Sequence, residues 1–146
     1  MKEKYLKLVD MIAEDKENGD FYLKALESCL ADFDSYVTSI YNMEVLIPIQ
    51  RHRLEGDELR AYITNLDGRR KACHNAAIAS INMINRIAKA VGAEPLYDRE
   101  IDRDNPVDRR QAANFCAKFV MAIIYDQVST GIDDTVAFLT KTRNAG

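Results

Sequence analysis

The sequence predicts an all-α fold, an up-down helical bundle built on one long antiparallel hairpin of helices. Three observations carry this expectation. Apolar residues recur every three or four positions over two long stretches, about 21–54 and 57–91. Turn formers are scarce, with six glycines and three prolines, where an all-β chain of many tight turns would need more of both. The capping and breaking residues also gather at only a few points, so the elements between them must be long.

Each element has its own signature. Residues 3–16 read as a short amphipathic helix with Leu6, Val9, Ile12 and Ala13 inward. Asn18-Gly19 is a turn pair, and Asp20 suits the N-cap of the next helix. From Tyr22 the apolar stripe runs through Leu26, Cys29, Leu30, Phe33, Val37, Ile40 and Ile47 without breaking phase, which predicts a helix over 21–54. Pro48 should kink it, because proline removes a backbone donor and crowds the carbonyl of Glu44. An internal cap at Asp34-Ser35 would instead divide it in two.

Gly56 is then expected to close this helix and Asp57 to cap the following one. The second stripe runs Leu59, Ile63, Leu66, Cys73, Ala77, Ile81, Ile84, Ala88 and Val91, with Gly92 as C-cap and Pro95 preventing continuation. Gly68 is the expected site of any bend in it. Arg69, Lys71, Asn75, Asn82, Arg86 and Lys89 read as its solvated face. After a connection over 93–105, Asn105-Pro106-Val107-Asp108 resembles a capping box with proline at the first helical position. It opens a third, well-buried helix over about 106–129, which Gly131 ends; Asp133 caps a last short helix.

Length and composition bound the function. At 146 residues the chain is one domain, 1–146, long enough for a core without metal or disulfide staples. A net charge of −3 gives no electrostatic case for a nucleic-acid partner. No apolar run approaches the roughly 20 residues of a membrane span. Cys29, Cys73 and Cys116 are far apart and fall on apolar stripes, which reads as buried thiols in a reducing compartment, the cytoplasm. The expectation is a soluble protein.

One charge pair stands out inside the hairpin. Glu44 is in phase with Ile40 and Ile47, and Arg70 with Leu66, Cys73 and Ala77. Counted from Gly56 the two lie about 18 and 21 Å along their helices, nearly opposite, which predicts a partly buried Glu44–Arg70 ion pair. Such a pair could fix the register of the hairpin. Alternatively Glu44, Arg70 and the nearby Tyr41 could line a pocket for a small polar ligand.

Signals for catalysis and metals are thin. The Glu-x-x-His of a di-iron bundle fails, since Ile49 precedes His52 and Lys71 precedes His74 at that spacing. Two histidines and no C-x-x-C pair disfavour zinc. The acids Asp98, Glu100, Asp102 and Asp104 faintly suggest a calcium loop, but Arg103 and Arg109 stand where glycine and a bidentate glutamate belong. Glu14/Glu17 and Glu55/Glu58 resemble the E-x-x-E of helical nucleotide pyrophosphatases, yet they fall at helix ends, where acids are commonplace. No metal or cofactor is expected.

The hexad Arg69-Arg70-Lys71-Ala72-Cys73-His74 is similar to the R-x4-H motif of HEPN-type ribonucleases, small helical bundles that often dimerise. That resemblance implies phosphate stabilisation by Arg69 and general acid–base work by His74. It covers this hexad and the general architecture, and Arg70, after the arginine, is assigned to the hairpin interior. More broadly, Asp57 to Gly92 and Pro106 to Ile124 resemble small all-helical bacterial proteins classed only as domains of unknown function. This second resemblance implies no activity, cofactor or site.

Two helices of about 34 residues outreach a 24-residue third helix, so apolar surface should remain at the hairpin's far end, Val45, Ile49, Ile78 and Met83 adding to it. The expected function is a non-enzymatic interaction or regulatory bundle, as a homodimer or with a helical protein partner. The alternatives are the ribonuclease and the small-ligand bundle.

Overall fold

The computed structural model describes residues 1–102 and 104–144, and of residues 106–108 and 144 the backbone alone. Five helices form the fold: α1 Lys2–Ala13, α2 Gly19–Gln50, α3 Gly56–Val91, α4 Pro106–Ile123 and α5 Ile132–Asn144. There is no strand among the described residues. α2 and α3, of 32 and 36 residues, lie antiparallel as rods of roughly 50 Å. Both run unbroken, α2 through Asp34-Ser35 and α3 through Gly68.

The boundaries differ from the sequence reading for local reasons. α2 runs through Pro48 but stops at Gln50, not residue 54. Proline has withdrawn one donor, and the final amides of His52 and Arg53 bond three residues back instead of four, to Ile49 and Gln50. Gly56 does not close α2; it opens α3 with φ +57, the left-handed conformation glycine adopts freely. Asp20 lies in the first turn of α2, and Asn18 holds the cap position. Gly19 itself is required there, because a Cβ would come within 2.8 Å of the Ile12 carbonyl oxygen.

α4 also ends early, at Ile123. Asp126 turns left-handed (φ 52), and the Gln127 amide donates six residues back to the Met121 carbonyl at 2.9 Å, folding the chain off the helix end. Gly131 belongs to the start of α5, where the Ile132 amide donates to the Asn114 side chain at 3.0 Å. Pro106 does occupy the first position of α4. Arg103 and the Asp108 side chain of the expected capping box lie outside the described residues.

The core sits at the end of the hairpin away from its turn. Phe33 of α2 is fully buried and meets Phe115 and Phe119 of α4 edge-on, with ring centroids 5.9 and 5.1 Å apart. Leu8 and Ile12 of α1 and Ile132 of α5 close around them. α5 adds a last contact where the Arg143 guanidinium stacks 4.5 Å over the buried Tyr41 ring.

The connection after α3 is held by two asparagines. Asn85 accepts from the Leu96 and Tyr97 amides and donates to the Tyr97 carbonyl. Asn82 makes the same paired contact with the Ile101 backbone. The sequence reading placed Asn82 on a solvated face; it is half-buried because the connection folds back over it.

Two stability measurements follow. Gly68 is exposed inside α3, and a Cβ there would meet nothing within 4 Å. Gly68→Ala should therefore raise unfolding free energy by about 1 kcal/mol, read as a higher urea midpoint. Asn85→Ala removes three part-buried hydrogen bonds and should lower it by about 2 kcal/mol. An unchanged midpoint would mean the clamp does not hold the connection.

Candidate functional site

Polar rungs cross the inside of the hairpin. The Cys29 thiol donates to the Ser80 carbonyl at 3.5 Å, and the Ser80 hydroxyl donates to the Asp32 carboxylate at 2.6 Å. Further along, the Tyr36 hydroxyl and His74 Nδ1 share a hydrogen bond of 2.9 Å. The two rings meet edge-on at 5.3 Å. His74 is only 5% exposed, and its Nε2 is buried without a partner among the described residues.

Charge around this pair is one-sided. Burial pulls the His74 pKa down, and the nearby Arg109 and Arg70 guanidinium groups add to the effect. Burial also pushes Tyr36 up to about 12, and it raises the neighbouring Cys116 thiol. At neutral pH the cluster is therefore a neutral imidazole on a neutral phenol, with cations beside them. It ties α2 to α3, with both groups buried.

The predicted Glu44–Arg70 ion pair does not form. Arg70 is bound to Asp67 on its own helix at 3.1 Å, and Glu44 is exposed. The physical reason is register. The Tyr36–His74 and Cys29–Ser80 contacts continue toward the turn to put Glu44 across from Leu66 and Arg70 across from Ile40. The expected partner is thus four residues away, about 6 Å along the rod. Glu44 does lie in phase with the buried stripe, but one turn beyond Tyr41, past the contact with α5. Asp67 gains from both cations; hydrogen bonds from Lys71 and then Arg70 hold its carboxyl below the usual range. Tyr41, Glu44 and Arg70 consequently do not converge on one pocket.

Arg69 and His74 are also apart. Arg69 is exposed and lines an open groove of about 480 Å³ between α2 and α3 with Asp34, Ser35, Thr38, Asn42 and Ala72. His74 faces the other way, into the Tyr36 contact, and does not line that groove. Four intervening residues turn a helix by about 500°, which leaves the two roughly 140° apart. Cys73, half-buried, lines the groove with Arg69.

The remaining acids are accounted for individually. Glu14, Glu17, Glu55 and Glu58 are exposed at the ends of helices. In the connection Glu100 pairs with Arg86 at 3.3 Å and Asp102 accepts from the Asp104 amide. Among the described residues no three His, Cys, Asp or Glu groups are placed to hold a metal ion. Two wider clefts, about 710 and 590 Å³, flank Pro95, Tyr97 and Asp98, their rims mixing lysine with acids.

What the hairpin leaves open is more distinctive than any cleft. Tyr41 and Leu66 are the last buried residues on α2 and α3 before the turn. None of the residues from Asn42 to Asn65, all of them described, is buried. Yet this stretch carries Met43, Val45, Leu46, Ile47, Ile49, Leu59, Tyr62 and Ile63, with Ile49 45% exposed. Two packed helices can bury only their shared seam; apart from the exposed Ile49, these apolar side chains are half-buried.

A family model described as a protein of unknown function, DUF3232, matches residues 1–128. The chain belongs to the DUF3232 family. The matched span takes in α1 through α4 and thus the whole hairpin. It bears out the resemblance to small all-helical proteins of unknown function. No curated protein and no solved structure matches this DUF3232 chain. No helix of the described residues is long and apolar enough to cross a membrane.

The sequence reading passed over Tyr36, Asp32 and Ser80 as partners. Tyr36 falls on the arc of Phe33 and Val37, which marks it as inward but not as the mate of His74. For the asparagine clamps a signal did exist: two carboxamides one turn apart, just before the C-cap that leads into the longest connection.

The lowered His74 pKa gives stability a defined pH dependence. The folded chain binds a proton at His74 less readily than the unfolded chain, whose histidine titrates near 6.5. The stabilisation is complete above that value and is lost as pH falls below it toward the folded value. Urea midpoints should therefore drop between pH 7 and 5.5 in the wild type. His74→Phe, which keeps a ring against Tyr36, should flatten that slope; an equal slope in both would assign it to other groups.

Proposed function

We propose that this DUF3232 chain is a non-enzymatic interaction or regulatory module that works in the cytoplasm. Its working surface is the open half of the hairpin, and its first partner is a second copy, with another helical protein as the alternative occupant. The observation that carries this reading is the run from Asn42 to Asn65, apolar in many positions and buried in none. A run of half-buried apolar side chains around an exposed Ile49 is the kind of surface that association completes. The burial of His74 away from Arg69 favours this reading over a nuclease, since general acid–base work needs a group within reach of substrate. Three free cysteines suit a reducing compartment.

The test is mass in solution. Ile49→Lys combined with Tyr62→Lys places two charges on the open half without touching the core. Light scattering should show a mass above the monomer that rises with concentration for the wild type, and a monomer for the variant at unchanged helical circular dichroism. A wild type that stays monomeric at several hundred micromolar removes self-association. Equal masses for the two proteins would remove the open half as the surface.

A further inference from the structure

The open side of the hairpin carries a pattern that is complementary to itself. On α3 the residues Glu58, Tyr62, Asn65 and Arg69 follow one another at spacings of four, three and four, so they share one stripe. Arg69 places that stripe on the grooved side of the hairpin. Glu58, nearer the turn, and Arg69, eleven residues deeper, are both exposed, and neither makes an ion pair within the chain among the described residues. On α2 the same side continues from Ser35, Thr38 and Asn42 of the groove to Val45 and Ile49 at the same spacings. Polar positions thus surround an apolar centre.

We propose that this side pairs antiparallel with the same side of a second copy about a two-fold axis, α3 on α3 and α2 on α2. In that arrangement each Glu58 meets the partner copy's Arg69, Tyr62 meets Asn65, and Val45 meets Ile49. The inference rests on the interaction reading above and names its geometry. Two features support a single axis. The midpoint between Glu58 and Arg69 falls between residues 63 and 64 of α3, and that between Val45 and Ile49 falls at residue 47 of α2. In the register that sets Tyr36 across from His74, residue 47 lies opposite residue 63, so one axis serves both stripes.

The area is adequate as well. With that axis the turn of one copy reaches the level of Ala72 on the other, an overlap of about 25 Å by the helix rise and about 20 Å across two helices. A footprint of roughly 500 Å² per copy belongs to the small interfaces of transient pairs. The resulting dimer is expected to dissociate in the micromolar range rather than to be permanent.

Charge reversal tests the pairing directly. Glu58→Arg sets arginine against arginine at both ends of the interface, and Arg69→Glu sets acid against acid. Each should weaken self-association roughly tenfold, about the effect of 1.4 kcal/mol spread over two rim contacts. Mixed one to one, the two variants regain an attractive pair at both ends and should form a heterodimer of wild-type affinity by sedimentation velocity. The mixture also controls for misfolding, because damaged chains would not complement. If the wild type dimerises and the Ile49→Lys, Tyr62→Lys variant does not, yet charge reversal changes nothing, this geometry is wrong and the interaction reading stands. A wild type that never dimerises overturns this geometry and self-association together, and leaves the open half to a different helical protein.

Discussion

A hairpin of two rods near 50 Å is covered by a helix of 18 residues, about 27 Å long, and this mismatch governs the molecule. Where α4 and α5 reach, α2 presents aromatic and branched residues that are fully buried, Phe33 and Val37 among them. Where they do not, residues on the same phase are exposed, and Glu44 is the plainest instance. The same helix is therefore core at one end and surface at the other. A stable monomer needs only the first part; the second part has to be explained by what else it touches.

That division also accounts for what was legible beforehand. Hydrophobic periodicity sees phase, not coverage. It predicts both long helices nearly to the residue on α3, and it identifies the third helix with proline at its first position. It assigns Glu44 to the interior, because phase was right and nothing in a linear pattern reports where the neighbouring helix stops. The register error has a separate origin. The turn was centred on Gly56, whereas α2 already ends at Gln50 and residues 51–55 make the connection. Centred on Gly56, Glu44 would face residue 68; the observed register moves it two residues, about 3 Å, on to Leu66, which adds to the two-residue offset already present between Glu44 and Arg70.

The R-x4-H hexad shows how a spacing can be real and still not assemble a site. Spacing fixes the angle between two side chains on a helix, and four intervening residues put Arg69 and His74 on different sides. One faces an open groove; the other serves the packing of α2 on α3 through Tyr36. With Arg70 and Arg109 nearby and a ring nitrogen left without a partner among the described residues, burial and the two cations favour the neutral form of the histidine. Phenol and imidazole together give the hairpin a polar lock at mid-length, where an all-apolar seam would slide more readily from one register to another.

The two asparagines under the 93–105 connection carry a consequence for how this part of the chain can vary. Each carboxamide offers one acceptor and one donor to the main chain, much as a neighbouring strand would, so α3 reads backbone there and not side-chain identity. Asp98, Arg99 and Glu100 between the two clamps are exposed. Glu100 and Arg99 make exposed contacts to Arg86 and Gln111, worth less than the part-buried backbone bonds of Asn82 and Asn85. The rims of the clefts beside Tyr97 can therefore change by substitution while the path of the chain stays fixed, the backbone being what the two carboxamides hold.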